Sequence, residues 1–139
     1  MSSKLLLHQT VVSALHTSSL QNPAQECCGL LAGHDGEITC LFPATNAAIN
    51  PATSYEIALP ELFQLMREIR AAGLEMLGIY HSHPKHPAIP SETDRLSAQP
   101  FFSYVIISVL DKDTTELRSW LLNEERQFEE EKIIDYQYN

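Results

Sequence analysis

Residues 75–84 read Glu-Met-Leu-Gly-Ile-Tyr-His-Ser-His-Pro, and residues 91–94 read Ser-Glu-Thr-Asp. The run up to Tyr80 is mostly apolar and contains β-branched and aromatic residues, which predicts a buried strand that arrives at His81. Because side chains alternate along a strand and each residue advances about 3.3 Å, we expect His81 and His83 on one face, about 6.6 Å apart at the backbone. Both imidazoles can then reach a single metal ion.

The segment after the two histidines predicts the start of a helix. Pro84, Pro87 and Pro90 end the strand, and the Ser-x-x-Asp pattern of Ser91 and Asp94 is typical of a helix N-terminus. Two imidazole nitrogens and one carboxylate oxygen suit zinc better than calcium or magnesium. Three protein ligands rather than four are typical of a catalytic zinc site, which keeps one position for water.

Other metal sites with a His-x-His core fit these residues poorly. The metallo-β-lactamase pattern requires an acid where this chain has Lys85. The metal site of a double-stranded β-helix requires a glutamate three or four residues after His83, where the chain has Pro87 and Ala88. An amidohydrolase barrel needs about 250 residues of alternating strands and helices, which exceeds this length. The Ser-x-x-Asp partner is the best fit.

With these motifs, the chain resembles the JAMM/MPN-domain (JAB-type) zinc metalloproteases, and in particular their small stand-alone bacterial branch. The signature of that family is an upstream glutamate, His-[Ser/Thr]-His, seven residues and Ser-x-x-Asp, and residues 81–94 match it at every position. Residues 23–33, which contain Glu26, are similar to the Pro-x-Glu-x-Cys-Gly-Leu-Leu-x-Gly opening of the bacterial members. The resemblance extends from about Leu5 to Phe128.

The resemblance implies one zinc ion held by His81, His83 and Asp94. It further implies that Glu26 is the general acid/base and that Ser91 is a hydrogen-bonding helper for the oxyanion. The expected reaction is hydrolysis of an amide or isopeptide bond, and the expected substrate is the C-terminal tail of a ubiquitin-like or sulfur-carrier protein. A narrow groove that accepts an extended tail by strand addition would suit such a substrate.

Each of these residues also has a structural explanation. The histidines could be polar residues at a strand end, Ser91 and Asp94 could only cap a helix, and Glu26 could be a solvated acid. Two other functional classes therefore stay open. One is a non-catalytic MPN-type scaffold or protein-interaction domain, and the other is a hydrolase of small amides or cell-wall peptides. The role of His86 and the oligomeric state are also open.

Composition sets the outer limits of the function. The chain has 139 residues, which predicts a single domain over residues 1–139, and its formal net charge of −9 disfavours nucleic acid and anionic membrane as partners. Five glutamates between residues 124 and 131 are expected on a solvated edge strand and tail. The adjacent Cys27 and Cys28 are poorly placed for a disulfide, and Cys40 has no evident partner. The apolar run at residues 5–7 is too short for a signal-peptide core or a membrane span. A cytoplasmic location is therefore expected.

The remaining pattern predicts an α+β fold with a curved mixed β-sheet flanked by helices, similar to the cytidine-deaminase-like MPN/JAMM fold that the resemblance implies. Predicted helices cover residues 11–20 and 60–73 and begin near Ser91. Predicted strands lie at residues 4–7, 27–32, 37–42, 55–57, 75–80, 104–110 and 117–122, with a strand or a short helix at 128–134. Asp35-Gly36 predicts a hairpin turn. Core positions are predicted for Phe63, Met66, Phe101, Phe102 and Trp120.

Overall fold

The computed structural model describes residues 4–111 and 114–137. Seven strands and three helices lie within this part of the chain. The elements are β1 Lys4–His8, α1 Gln9–Gln21, β2 Cys28–His34, β3 Glu37–Ala44, α2 Leu59–Ala71, β4 Glu75–Pro84, α3 Glu92–Ser97, β5 Ser103–Asp111, β6 Thr114–Leu122 and β7 Phe128–Tyr136. None of the helices in these described ranges is long and apolar enough to cross a membrane.

The strands form one mixed sheet in the order β1-β3-β2-β4-β5-β6-β7, which closes into a barrel because β1 also pairs with β7. The β1–β3, β1–β7 and β4–β5 pairs are parallel, and the other pairs are antiparallel. The predicted α+β fold with a curved mixed sheet is therefore confirmed. Its curvature continues to closure because the short first strand forms ladders on both of its sides.

The predicted hairpin between β2 and β3 is confirmed. Asp35 and Gly36 both have positive φ, 52° and 79°, as the two-residue turn of a tight hairpin requires. Gly29, near the start of β2, lies so close to β3 and β4 that a Cβ there would sit 2.4 Å from the Phe42 carbonyl oxygen and 2.6 Å from the Tyr80 ring. The missing side chain lets β2 pack against β4 where the histidines lie.

The core occupies both faces of the sheet. Leu31 in β2 packs with Leu15 of α1, whereas its neighbour Leu30 packs with Leu65 and Ile69 of α2. Successive residues of a strand face opposite sides, so a strand covered on both faces becomes a continuous apolar run. This explains why residues 28–32 show no alternation of apolar and polar residues in the sequence.

Several expectations about individual segments are corrected. Residues 54–58 form no strand, because the Asn46 side chain and not a neighbouring strand bonds the backbone amide of Glu56. Residues 128–136 form a strand, which settles the choice between strand and helix, but β7 lies between β6 and β1 and is not an edge. Its Glu131 is buried and accepts a 2.7 Å hydrogen bond from the Ser119 hydroxyl. Of the turn expected at residues 111–115, residues 112–113 lie outside the described ranges.

The predicted aromatic core is wrong in part. Phe63 is 52% exposed and Phe101 is 81% exposed, and Met66 is also exposed. The aliphatic residues Leu65 and Ile69 form the inward face of α2, so its aromatic residue points outward. Phe102 is half-buried against the cluster of Tyr104 and Leu122, as expected. Trp120 is also half-buried, and it donates a hydrogen bond from its indole N–H to the Ala88 carbonyl.

Candidate metal centre

Strand β4 carries both histidines into the interior. It pairs with β2 on one side, where Cys28 lies opposite His81, and with β5 on the other, where His83 lies opposite Ser108. His81 is 1% exposed and His83 is 5% exposed. Their Nε2 atoms lie 3.1 Å apart, so the alternation of the strand brings the two rings together as predicted.

Helix α3 brings a carboxylate to the same point. Ser91 is its N-cap, and its hydroxyl accepts a 3.0 Å hydrogen bond from the Asp94 backbone N–H, while the Asp94 carboxylate accepts a 2.9 Å bond from the Ser91 N–H. This reciprocal capping box fixes the Asp94 side chain at the start of the helix. The same Oδ2 atom lies 3.2 Å from Nε2 of His81 and 3.2 Å from Nε2 of His83.

The three atoms form a triangle that fits a zinc ion. Its edges are 3.1, 3.2 and 3.2 Å. Ligands at about 2.0–2.1 Å around a tetrahedral zinc lie about 3.3–3.4 Å apart, so the triangle needs only a small expansion. Three buried or nearly buried donors that converge in this way, with two imidazoles and one carboxylate, match the donor set that zinc prefers.

Glu26 lies just before β2, at the edge of this triangle. Its side chain is 3% exposed, and a carboxylate oxygen lies within 4.8 Å of the ligand nitrogens of His81 and His83. The backbone around it is fixed, because the Glu26 N–H donates to the Pro51 carbonyl at 2.7 Å and the Cys27 N–H donates to the Ser82 hydroxyl at 2.8 Å. Its Oε1 has no hydrogen-bond partner among the described residues. The arrangement leaves a buried carboxyl beside the triangle with an oxygen free to act.

Burial and hydrogen bonding shift the pKa values of the ionisable groups at this centre in different directions. Burial alone would raise the pKa of Asp94, but its hydrogen bonds with the two histidines outweigh that effect and hold the pKa well below its usual range. Burial lowers the pKa of His81, which favours the neutral imidazole that a metal needs. Burial would also lower the pKa of His83, but the hydrogen bonds to Asp94 and to the Pro87 carbonyl raise it.

Glu26 has the opposite behaviour to Asp94. Burial raises its pKa from 4.5 to about 7, and the nearby His83 only partly opposes this rise. A carboxyl with a pKa near neutrality can both accept and release a proton at neutral pH. Their surroundings therefore keep Asp94 ionised, whereas Glu26 can exchange a proton.

We predict that Glu26 lowers the stability of the zinc-free protein at neutral pH. Since the unfolded state ionises Glu26 near pH 4.5 and the folded state only near pH 7, stability falls as the pH rises through this window. A shift of this size corresponds to about 3 kcal/mol. Denaturant unfolding of zinc-free wild type and Glu26→Gln should show the variant gaining about that much relative to wild type between pH 4 and pH 8. A difference that does not change with pH would contradict the prediction.

The loop after β4 is tied to β5 and β6. The Lys85 N–H donates to the Val109 carbonyl at 2.8 Å, and the Ala88 N–H donates to a Glu116 carboxylate oxygen at 3.1 Å. The Pro87 carbonyl accepts a 2.8 Å hydrogen bond from Nδ1 of His83. Because a carbonyl can only accept, Nδ1 carries a proton, so the atom of His83 that would bind a metal is Nε2, where the metal would replace a proton shared with Asp94. The loop thus orients the His83 ring with Nε2 toward the triangle.

The structure brings together His81, His83, Asp94 and Glu26, as the sequence predicted, and shows Ser91 as an exposed N-cap at the same helix start. The exposed His86 has its ring centroid 5.0 Å from that of His83. Sequence reasoning missed Asn46 and Tyr55, which lie against Glu26 and His81 respectively. The only available signal was a polar, proline-containing stretch too long for a simple turn.

The chain is similar to several known proteins. A family model described as prokaryotic homologs of the JAB domain matches residues 8–123. A CysO-cysteine peptidase from Mycobacterium tuberculosis is 32% identical over 137 residues, which cover 96% of this chain and 93% of the relative. A desampylase from Haloferax volcanii is 34% identical over 102 residues, which cover 71% of this chain and 73% of the relative. A solution structure of a Desulfitobacterium hafniense protein superposes with a TM-score of 0.86 at 29% identity, covering 96% and 94% of the two chains.

Proposed function

This chain belongs to the family of prokaryotic JAB-domain proteins, and we propose that it is a zinc metallopeptidase that hydrolyses an amide or isopeptide bond at the C-terminus of a ubiquitin-like or sulfur-carrier protein. The observation that carries the proposal is the triangle of two Nε2 atoms and one Oδ2 atom, with the Glu26 carboxyl beside it, whose Oε1 has no partner among the described residues. A structural helix cap alone would not need two buried imidazoles that point at the capping carboxylate.

In this proposal His81, His83 and Asp94 hold one zinc ion. A zinc ion held there would supply a water whose pKa is lowered to about 7 and a Lewis acid for the carbonyl of the bond to be cut. Asp94 suits its role because it stays ionised, and His81 suits its role because burial keeps it neutral. Nδ1 of His83 is occupied by its hydrogen bond to the Pro87 carbonyl, so Nε2 is the atom that would face the ion.

Glu26 performs the proton transfers in this proposal. Its carboxylate accepts the proton of the attacking water, and the resulting carboxylic acid delivers that proton to the departing amine, since an amide nitrogen leaves poorly unless it is protonated. The pKa of about 7 in the zinc-free protein supports both halves of this cycle. The free Oε1 supports it too, because no other described residue occupies the atom that must take the proton.

Ser91 is proposed to donate a hydrogen bond from its hydroxyl to the oxyanion that forms on the substrate carbonyl. Its oxygen already accepts from the Asp94 N–H, which orients the hydroxyl and leaves its hydrogen to donate. We expect Ser91→Ala to lower kcat by about 10²–10³-fold, as loss of one oxyanion donor does, with little change in KM. Loss of the cap should separately cost about 1 kcal/mol of stability. A variant that is destabilised by this amount and keeps its kcat would reduce Ser91 to a helix cap.

The substrate class follows from the relatives and from the small size of the site. The mycobacterial relative is named a CysO-cysteine peptidase. Only ten residues separate His83 from Asp94, which leaves little protein to enclose a folded substrate around the cleaved bond. An extended, flexible C-terminal tail fits such a site better than a loop of a folded domain.

The test is a cleavage assay with the zinc-loaded full chain. Its substrates are CysO carrying a C-terminal cysteine, the same carrier linked through its C-terminus to a lysine side chain, and a small cell-wall peptide. Release of intact carrier from one of the first two supports the proposal. Cleavage of the cell-wall peptide alone would favour a small-amide hydrolase, and zinc binding without any cleavage would favour a scaffold.

A further inference from the structure

The two histidines of the candidate centre are held by different means. Nδ1 of His83 bonds the Pro87 carbonyl at 2.8 Å, whereas Nδ1 of His81 is buried and has no hydrogen-bond partner among residues 4–111 and 114–137. Metal-binding histidines almost always donate their second ring N–H to a fixed acceptor, which orients the ring. His81 therefore needs another source of orientation.

Tyr55 supplies a contact of the right kind. Its ring stacks on the His81 ring with centroids 4.4 Å apart and planes inclined by only 20°. The contact covers a face of the imidazole, so it restricts rotation of the ring about the Cβ–Cγ bond without using a ring nitrogen. The Nε2 atom of His81 is then left pointing at His83 and Asp94.

The backbone on each side of Tyr55 is fixed by Asn46. The Asn46 amide donates to the Ser54 carbonyl at 2.9 Å, and its carbonyl oxygen accepts from the Glu56 N–H at 3.2 Å. The Ala47 N–H also donates to the Glu56 carbonyl at 2.8 Å. These hydrogen bonds satisfy backbone groups that a β-ladder would otherwise pair, and they fix the position of Tyr55 between them.

Asn46 also reaches the other side of the site. Its amide donates to the Glu26 carbonyl at 2.9 Å, and the Glu26 N–H donates to the Pro51 carbonyl at 2.7 Å within the same loop. The segment from residue 46 to residue 56 thus contacts Glu26 through its backbone and His81 through the Tyr55 ring. One side chain determines the spacing between the proton-transfer group and a metal ligand.

We propose that Tyr55 is a positioning residue that orients His81 by stacking, in place of the absent Nδ1 hydrogen bond. We further propose that Asn46 fixes the position of Tyr55 relative to Glu26. The proposal rests on the metal site of the proposed function. It requires the face of the aromatic ring and makes no use of the tyrosine hydroxyl.

The test compares Tyr55→Phe with Tyr55→Leu in the full chain. Zinc loss to a coloured chelator is measured by stopped flow, and the absorption spectrum of the cobalt(II)-substituted protein reports the ligand geometry. Tyr55→Phe keeps the ring and should match wild type within about twofold. Tyr55→Leu should release zinc roughly tenfold faster and show a changed cobalt spectrum. The tenfold change is the lower end of the range for loss of a partner of a metal-binding histidine.

Two further variants separate positioning from general stability. Phe101→Leu removes an aromatic ring that is 81% exposed, and it should leave zinc release unchanged. Asn46→Ala keeps Tyr55 but removes its anchors, and it should speed zinc release in the same direction as Tyr55→Leu, with kcat reduced more than KM is changed. This variant also tests the proposal if Tyr55→Leu does not fold.

The outcomes distinguish this proposal from the proposed function. If wild type binds no zinc, the metal site itself fails. If wild type binds zinc and both Tyr55→Leu and Asn46→Ala release it at the wild-type rate, only the positioning role is overturned. Equal acceleration by Tyr55→Phe and Tyr55→Leu would also overturn it, because the hydroxyl and not the ring face would then matter.

Discussion

Zinc-loaded Glu26→Gln protein is expected to contain as much zinc as wild type and to hydrolyse its carrier substrate about 10²–10⁴-fold more slowly, the range that a positioned general acid/base contributes. Glutamine has nearly the shape of glutamate but cannot accept the proton of water or deliver one to the amine. Because Glu26 lies beside the triangle and is not one of its three atoms, the metal should stay. The measurements are kcat from single-turnover cleavage and zinc per chain by elemental analysis.

Glu75→Gln is the matched control for this prediction. Glu75 begins β4, the strand that carries both histidines, but it is exposed and lies six residues before His81. Its substitution changes the charge of the protein by the same amount and should leave kcat within about twofold. If Glu26→Gln turns over at the wild-type rate, Glu26 is removed from the mechanism. If it loses zinc, Glu26 is a ligand and not the proton-transfer group.

The same substitution is expected to have opposite effects on stability and on turnover. Burial of Glu26 raises its pKa to about 7, which makes the ionised carboxylate costly in the zinc-free fold and also suits it to proton exchange. Glu26→Gln should therefore stabilise the zinc-free protein at pH 8 and abolish most of the activity of the zinc-loaded protein. A residue that only supports the fold would change both quantities in the same direction.

The local part of the site could be predicted from sequence because it depends on short-range geometry. His81 and His83 are two residues apart on a strand, and Ser91 and Asp94 are three apart at a helix start, so standard spacings fix each pair. Glu26 lies 55 residues before His81. Spacing alone could not place it there, and only the resemblance of its flanking residues did.

The parts that sequence reasoning missed depend on contacts between distant segments. Asn46 bonds several backbone groups of its own loop, and a side chain in that role resembles any other polar loop residue in the sequence. The Tyr-Glu-Ile sequence at residues 55–57 has strand propensity and predicts a strand, but the structure shows no strand there. Closure of the barrel was likewise undetectable, because it depends on β1 pairing with β7 from the opposite end of the chain.

Asp94→Asn is expected to lose zinc affinity by more than the roughly 10- to 100-fold that removal of a ligand's hydrogen-bonding partner costs, since it changes a ligand itself. The hydrogen bonds of Asp94 to the two histidines keep it ionised, and a neutral amide oxygen is a much weaker donor to zinc. The fold should survive, because an asparagine oxygen can still accept from the Ser91 N–H and keep the helix cap. Competitive titration against a zinc chelator measures the affinity, and circular dichroism checks the fold.

Glu92→Gln is the matched control for Asp94→Asn. Both acids lie in the first turn of α3, but Glu92 is exposed and pairs with Arg95, whereas the Asp94 carboxylate is nearly buried against the histidines. If the helix N-terminus merely needs negative charge, the two variants should behave alike. If Asp94 is a ligand, only Asp94→Asn releases zinc, and cleavage falls with zinc content while Glu92→Gln stays near wild type. Equal zinc affinity in both variants and wild type would remove Asp94 from the ligand set, and with it the three-donor site on which the proposed chemistry depends.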